Sequence, residues 1–159
     1  MNHAMHGAGH SSINRLAFSA TAHCLTGCSI GEVLGMVIGT AFGWSNWPTL
    51  VLAVVLAFVF GYLLTLWPLA RTGMVFRRAL KLAFASDTLS ITVMEIVDNA
   101  IMLAIPGAMD AGLSSPLFWS SLAVSLLVAG AAAFPVNRWL IGRGLGHARV
   151  HQHHAGGHH

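Results

Sequence analysis

The chain is 159 residues long, 55% hydrophobic and only 8% charged, with a mean hydropathy of +0.70. Soluble domains carry about a quarter charged residues, so this composition excludes an ordinary soluble domain and points to lipid. The net charge of +3 comes from basic residues scattered along the chain; they form no stripe with interleaved aromatics, which excludes nucleic acid as a partner.

In chain order, residues 1–14 are polar and rich in Gly and His. They lack the compact apolar region of a signal peptide, so the first helix is expected to be retained. That helix is predicted from Leu16 to Phe42, ending before the turn at Gly43 to Pro48. A second, uncharged helix covers Thr49 to Leu69. Residues 71–85, with Arg71, Arg77, Arg78 and Lys81, read as a basic amphipathic segment lying in the membrane interface. A third helix runs from Asp87 to Ile105, stopped by Pro106 and Gly107, and a fourth from Pro116 to about Ile141, with a kink expected at Pro135. Only helices and closed barrels can span lipid, and these long apolar runs lack the alternation of barrel strands. The expected fold is therefore an all-α membrane protein: a bundle of four transmembrane helices over residues 15–142, with His-rich tails at 1–14 and 143–159.

Charge placement orients the bundle. Every Lys and Arg falls on or beside the first tail, on the connection between helices two and three, or on the last tail and the helix end that leads into it. The positive-inside rule makes all three cytoplasmic, in the inner membrane of a bacterium. Trp44, Trp47 and Trp119 would then mark the outer interface, and Trp67 and Trp139 the inner one.

Two helices carry chemistry. On the first, Gly27, Gly31, Gly35 and Gly39 share one face, a packing seam within the monomer or between copies. Beside them, Cys24, Cys28, Glu32 and Met36 recur at the same four-residue spacing, with His23 next to Cys24. The third helix carries Asp87, Met94, Glu95, Asp98, Asn99 and Met102; Glu95 and Asp98 share a face, and Met94 and Met102 flank Asp98 by one turn. Carboxylates inside a membrane are costly and mark functional sites. With no Lys or Arg in a helix centre, Glu32, Glu95 and Asp98 must be protonated, hydrogen-bond to Asn99 and Thr92, or bind a cation. Thiolate and thioether donors favour copper(I), while carboxylates and imidazoles broaden the choice to zinc, nickel or cobalt. Proton relay is the companion function, because protonation alternates the charge of the same acids.

The expected metal residues are thus His23, Cys24, Cys28, Glu32, Met94, Glu95, Asp98 and Met102. The tail histidines His3, His6, His10, His147, His151, His153, His154, His158 and His159 would capture metal at the cytoplasmic mouth, since short His-rich tracts are a compositional metal-binding signal. No phosphate loop, HExxH helix or nucleophile triad is present, which takes most of the support from the ATP-driven and hydrolytic classes.

The segments HCLTGCSIGEVLG (23–35), MEIVDNAIM (94–102) and FPVNRWL (134–140) resemble a bacterial membrane-domain family catalogued as a domain of unknown function, across nearly the whole chain between the tails. Members of that family are in some cases joined to cupredoxin or multicopper-oxidase-like modules. The resemblance implies copper handling and a partner of that kind, and supplies no catalytic residues. The leading expectation is metal translocation or handling in the bilayer, copper first, by a chain that forms homo-oligomers. The alternatives are a scaffold held by the glycine seam around a structural polar network, and, third, an oxidoreductase using Cys24 and Cys28. Two cysteines on consecutive turns of one helix have poor disulfide geometry, which disfavours that last class.

Overall fold

The computed structural model describes residues 5–71, 73 and 75–143. Four helices account for most of them: α1 (Met5–Ala41), α2 (Asn46–Arg71), α3 (Phe76–Ala104) and α4 (Pro116–Gly142); there is no strand among the described residues. Ser12–Ala41, Asn46–Pro68 and Pro116–Gly142 are long and apolar enough to cross a membrane. Helix α3 equals them in length at 29 residues but carries Arg77, Arg78, Lys81 and three acids.

Two boundaries differ from expectation. Helix α1 starts at Met5 rather than near Leu16, because no proline intervenes and extending a helix that is already nucleated and packed costs little, even through Gly7 and Gly9. Residues 76–85 are not a separate interfacial segment but the opening turns of α3. Arg, Ala, Leu and Lys are good helix formers, and no Gly or Pro interrupts the chain between Val75 and Pro106.

The α1–α2 connection and the start of α4 are well capped. Helix α1 ends in a Schellman motif: the Trp44 N–H donates to the Gly39 carbonyl at 2.9 Å and the Gly43 N–H to that of Thr40 at 3.2 Å. Gly43 takes the positive φ of 66° that the motif requires. Ser115 caps α4 by accepting from the Leu117 N–H at 3.2 Å, with Pro116 in the first helical turn. Asn46 donates to Asp110 at 2.8 Å, tying the start of α2 to the α3–α4 loop.

The helices run up-down-up-down. The glycine face of α1 packs on α2 in antiparallel register, Gly27 against Gly61, Gly31 against Ala57, Gly35 against Ala53 and Gly39 against Thr49. Leu25 of α1 meets Gly130 of α4, and Thr21 accepts from the buried Asn137 amide at 2.9 Å. Helix α3 closes the ring against α2 through Tyr62 and Thr88, 2.9 Å apart, and against α4 through Met94, Ala129 and Ala133. Thr21→Val is expected to lower stability by about 1–3 kcal/mol, because it leaves the Asn137 amide without its acceptor; thermal unfolding in detergent measures the loss.

The outside of the bundle is greasy. Val51, Val55, Val59 and Leu63 line one exposed face of α2 at four-residue spacing. Trp44, Trp47 and Trp119 are exposed at the loop end, and Trp67 and Trp139 at the other, where Arg71 and Arg143 lie over their rings at 5.0 and 4.4 Å. Such belts of tryptophan suit the two interfaces of a bilayer.

Candidate functional site

Across the centre of the bundle α1 and α3 run parallel, and their polar and sulfur residues meet in register. Cys24 lies beside Ser90, Cys28 against Glu95, and Glu32 against Asp98. Their numbers differ by 66 or 67, so the pairing repeats turn after turn along both helices. The result is a column of polar groups, with a cluster at one end and a cleft at the other. From His23 to Met36 it rises about 20 Å at 1.5 Å per residue, some two thirds of the hydrocarbon thickness.

The cluster sits at the end of the α2–α3 connection, opposite the α1–α2 and α3–α4 loops. His23 Nε2 is 3.1 Å from the Thr65 hydroxyl of α2. Asp87, 1% exposed, accepts from the Ser86 hydroxyl at 2.8 Å and also faces Thr65 and His23. One layer on, Cys24 and Cys28 are free thiols, buried with Ala57, Ile91, Met94, Ala129 and Ala133. The Asn99 amide reaches back to Glu95, 2.8 Å from its carbonyl and 3.4 Å from Oε2. Thr92, expected to help hold the acids, instead donates to the Thr88 carbonyl of its own helix at 2.7 Å.

At the end of the α1–α2 and α3–α4 loops the column opens into a cleft with a cavity of about 50 Å³. Its donors are the carboxyls of Glu32 and Asp98, the amides of Asn46 and Asn99, the Thr49 hydroxyl, and the thioethers of Met36, Met102 and Met109. Glu32 is 7% exposed and Asp98 3%. Neither Glu32 oxygen has a hydrogen-bond partner, nor do Asp98 Oδ1 and Glu95 Oε1. Buried polar atoms are rarely left in this state. No basic side chain among the described residues lines the cleft.

The eight expected metal residues therefore divide among layers rather than converging. Glu32, Asp98 and Met102 share the cleft; Cys28 and Glu95 pair one turn deeper; Cys24, Met94 and His23 lie further in. Met94 and Met102 flank Asp98 in sequence, but Met94 is wholly buried in the apolar cluster that α4 closes with alanines. Among the described residues no three His, Cys, Asp or Glu side chains gather in a geometry that could hold a metal ion. His6 and His10 fall on the first turns of α1; His3, His147, His151, His153, His154, His158 and His159 lie outside the described residues. The sequence pattern overlooked Asn46, Thr49 and Met109 in the cleft and Thr65, Ser86 and Ser90 at deeper levels. Thr49, Thr65 and Met109 are single polar or sulfur residues in apolar surroundings, Asn46 sits in a turn, and Ser86 and Ser90, one turn apart, lie in a Ser/Thr-rich stretch whose acids drew the attention.

The glycine face of α1 is covered by α2, so it is not available as a surface between copies.

A family model described as Domain of unknown function (DUF4396) matches residues 14–146. No curated protein and no solved structure matches the chain.

Proposed function

Because this chain belongs to the DUF4396 family of domains of unknown function, its activity must be inferred from its own residues, and we propose that it binds and passes a soft transition-metal ion, copper(I) first, through the α1–α3 column. One observation carries this: Glu32 and Asp98 are buried against each other with unsatisfied oxygens, in a cleft whose remaining donors include three thioethers. A pair of acids with no basic neighbour needs a proton or a metal cation between them. Thioethers select soft, low-charge ions, and copper(I) is the common one. Zinc, nickel and cobalt come second, since they bind best to sets of imidazole, thiolate and carboxylate, and the cleft offers no imidazole or thiolate. A structural network would satisfy its members; under the scaffold reading Glu32 and Asp98 do so only by holding a proton between them.

In this proposal all four helices cross the inner membrane of a bacterium, with α3 as the fourth span and Arg77 and Lys81 among the cytoplasmic headgroups. Both tails are cytoplasmic and collect metal there, while the cleft faces outward, where a cupredoxin-like or multicopper-oxidase-like partner would exchange copper with it. A homo-oligomer would use a face other than the glycine seam.

Competition with a chromogenic copper(I) chelator tests the site, using a chain whose terminal histidines are replaced by asparagine. One ion per chain is expected. Glu32→Gln combined with Asp98→Asn should weaken it about 100-fold, roughly 2.8 kcal/mol. Equal affinity in the two proteins would remove the intramembrane site.

A further inference from the structure

We propose that the opening turns of α3 hold one anionic phospholipid, with Arg77 and Lys81 on its phosphate and the stacked rings of Phe84 and Tyr62 against its acyl chains; this goes beyond the metal function proposed above and does not depend on it.

Charge carries the inference. The end of the bundle at the α2–α3 connection presents Arg15, Arg71, Arg77, Lys81 and Arg143, all exposed. The chain has five acids, and none of them is exposed at this end. Glu32, Asp87, Glu95 and Asp98 are buried within the bundle, and Asp110 lies at the opposite end, accepting from Asn46 at 2.8 Å. The first turn of α3 holds no acid and places Arg77 at the positive end of the helix dipole. The described residues thus offer these cations no exposed carboxylate. Their counter-charge must come from the surroundings, which for helix ends at a bilayer surface means anionic headgroups.

Spacing and depth make this a site rather than a diffuse field. Arg77, Lys81, Phe84 and Thr88 follow one another by four, three and four residues, so they share one face of α3. Helical side chains lean toward the N-terminus, which here is the membrane surface, so the long Lys81 chain snorkels toward the level of Arg77. Two cations one turn apart then meet a single phosphate. Phe84 lies seven residues, about 10 Å, further in than Arg77, at the level where acyl chains begin below the headgroups. It is 56% exposed and stacks on Tyr62 of α2, with ring centroids 5.1 Å apart and planes 13° from parallel. The Tyr62 hydroxyl is 2.9 Å from that of Thr88, which fixes the pair. The two rings give an acyl chain a rigid wall spanning both helices. The other exposed cations are placed differently. Arg71 and Arg143 lie over the Trp67 and Trp139 rings at 5.0 and 4.4 Å, and Arg15 is the one Lys or Arg of α1.

Titration of the full-length protein in an uncharged detergent with dioleoylphosphatidylglycerol, read by native mass spectrometry, tests the site. One lipid per chain is expected, bound at least about tenfold more tightly than dioleoylphosphatidylcholine. Arg77→Gln with Lys81→Gln should weaken phosphatidylglycerol about 30-fold, and either change alone about fivefold. Arg77→Lys with Lys81→Arg keeps both charges and should keep the lipid. Arg15→Gln with Arg143→Gln removes the same charge from the same end and should alter binding by less than about threefold. Glycerol 3-phosphate in large excess should not displace the lipid, because it cannot use the ring wall. An equal loss in the two glutamine pairs would mean a diffuse field and overturns the site. Equal binding of phosphatidylcholine overturns it as well, and displacement by glycerol 3-phosphate would make it a site for soluble phosphates instead of lipid.

Discussion

Replacing Gly31 with leucine is expected to leave little folded protein. A Cβ at this position would collide with the backbone nitrogen and Cα of Ala57, atoms that cannot swing aside as the end of a side chain can. The neighbouring turns are as tight: a Cβ at Gly27 would come within 2.7 Å of the Gly61 Cα, and one at Gly35 within 2.6 Å of the Ala53 Cα. Helices α1 and α2 would have to separate along the whole seam, and in lipid no hydrophobic force between helices compensates for lost close packing. The cost should be about 3 kcal/mol or more, at the upper end of overpacking effects. Size-exclusion profiles and thermal unfolding in detergent read it directly. Gly142→Leu is the control: nothing lies within 4 Å of a Cβ there, so no shift is expected. Ala57→Gly should not rescue Gly31→Leu, because the obstruction is backbone. A monodisperse Gly31→Leu protein with an unchanged transition would mean that the seam is looser than this packing requires.

The same seam shows what a single sequence discloses and what it withholds. Spacing of four placed Gly27, Gly31, Gly35 and Gly39 on one face, and Cys24, Cys28, Glu32 and Met36 on a neighbouring one, since helical periodicity is local. Which helix each face would meet is not local. The small residues of α2 that receive the glycines, Ala53, Ala57 and Gly61, repeat at the same four-residue spacing, but spacing within one helix does not say which stripe it meets. The beginning of α3 was hidden for a different reason. Arg77, Arg78 and Lys81 look like a surface segment, but charge does not stop a helix; backbone does, and the break sits at Gly73, with φ of 75°. The carboxylates were conspicuous because acids are rare in apolar helices. Their division into layers was not, because it depends on the register between α1 and α3 and on the alanines of α4 that seal Met94 away. Asn46 and Met109 reach the cleft from a helix start and a loop far apart in the chain, a convergence that only tertiary structure produces.

The thioethers allow the sharpest separation of metal chemistry from packing. Met36 and Met109 are half-buried and Met102 is 7% exposed, all in the cleft that holds Glu32 and Asp98. Methionine and leucine have similar volume, and such exchanges usually cost under about 1.5 kcal/mol each. Changing all three to leucine should therefore keep the bundle folded, with the unfolding transition lowered by at most about 10–20 degrees. Copper(I) affinity should nevertheless fall at least about 100-fold, because leucine offers no donor and two carboxylates alone suit a harder ion. Silver(I), which shares the preference for sulfur, should lose affinity in parallel. The acid variant and the methionine variant then answer different questions. Glu32→Gln with Asp98→Asn removes charge and proton exchange and leaves the sulfur; the methionine variant removes sulfur and leaves both acids free to hold a proton. If copper(I) affinity survives the three leucines, the methionines are wall and the acids serve protons or a harder cation. If it is lost while the fold and the acids remain, the cleft recognises its ion by sulfur, and the carboxylates beside it balance the charge.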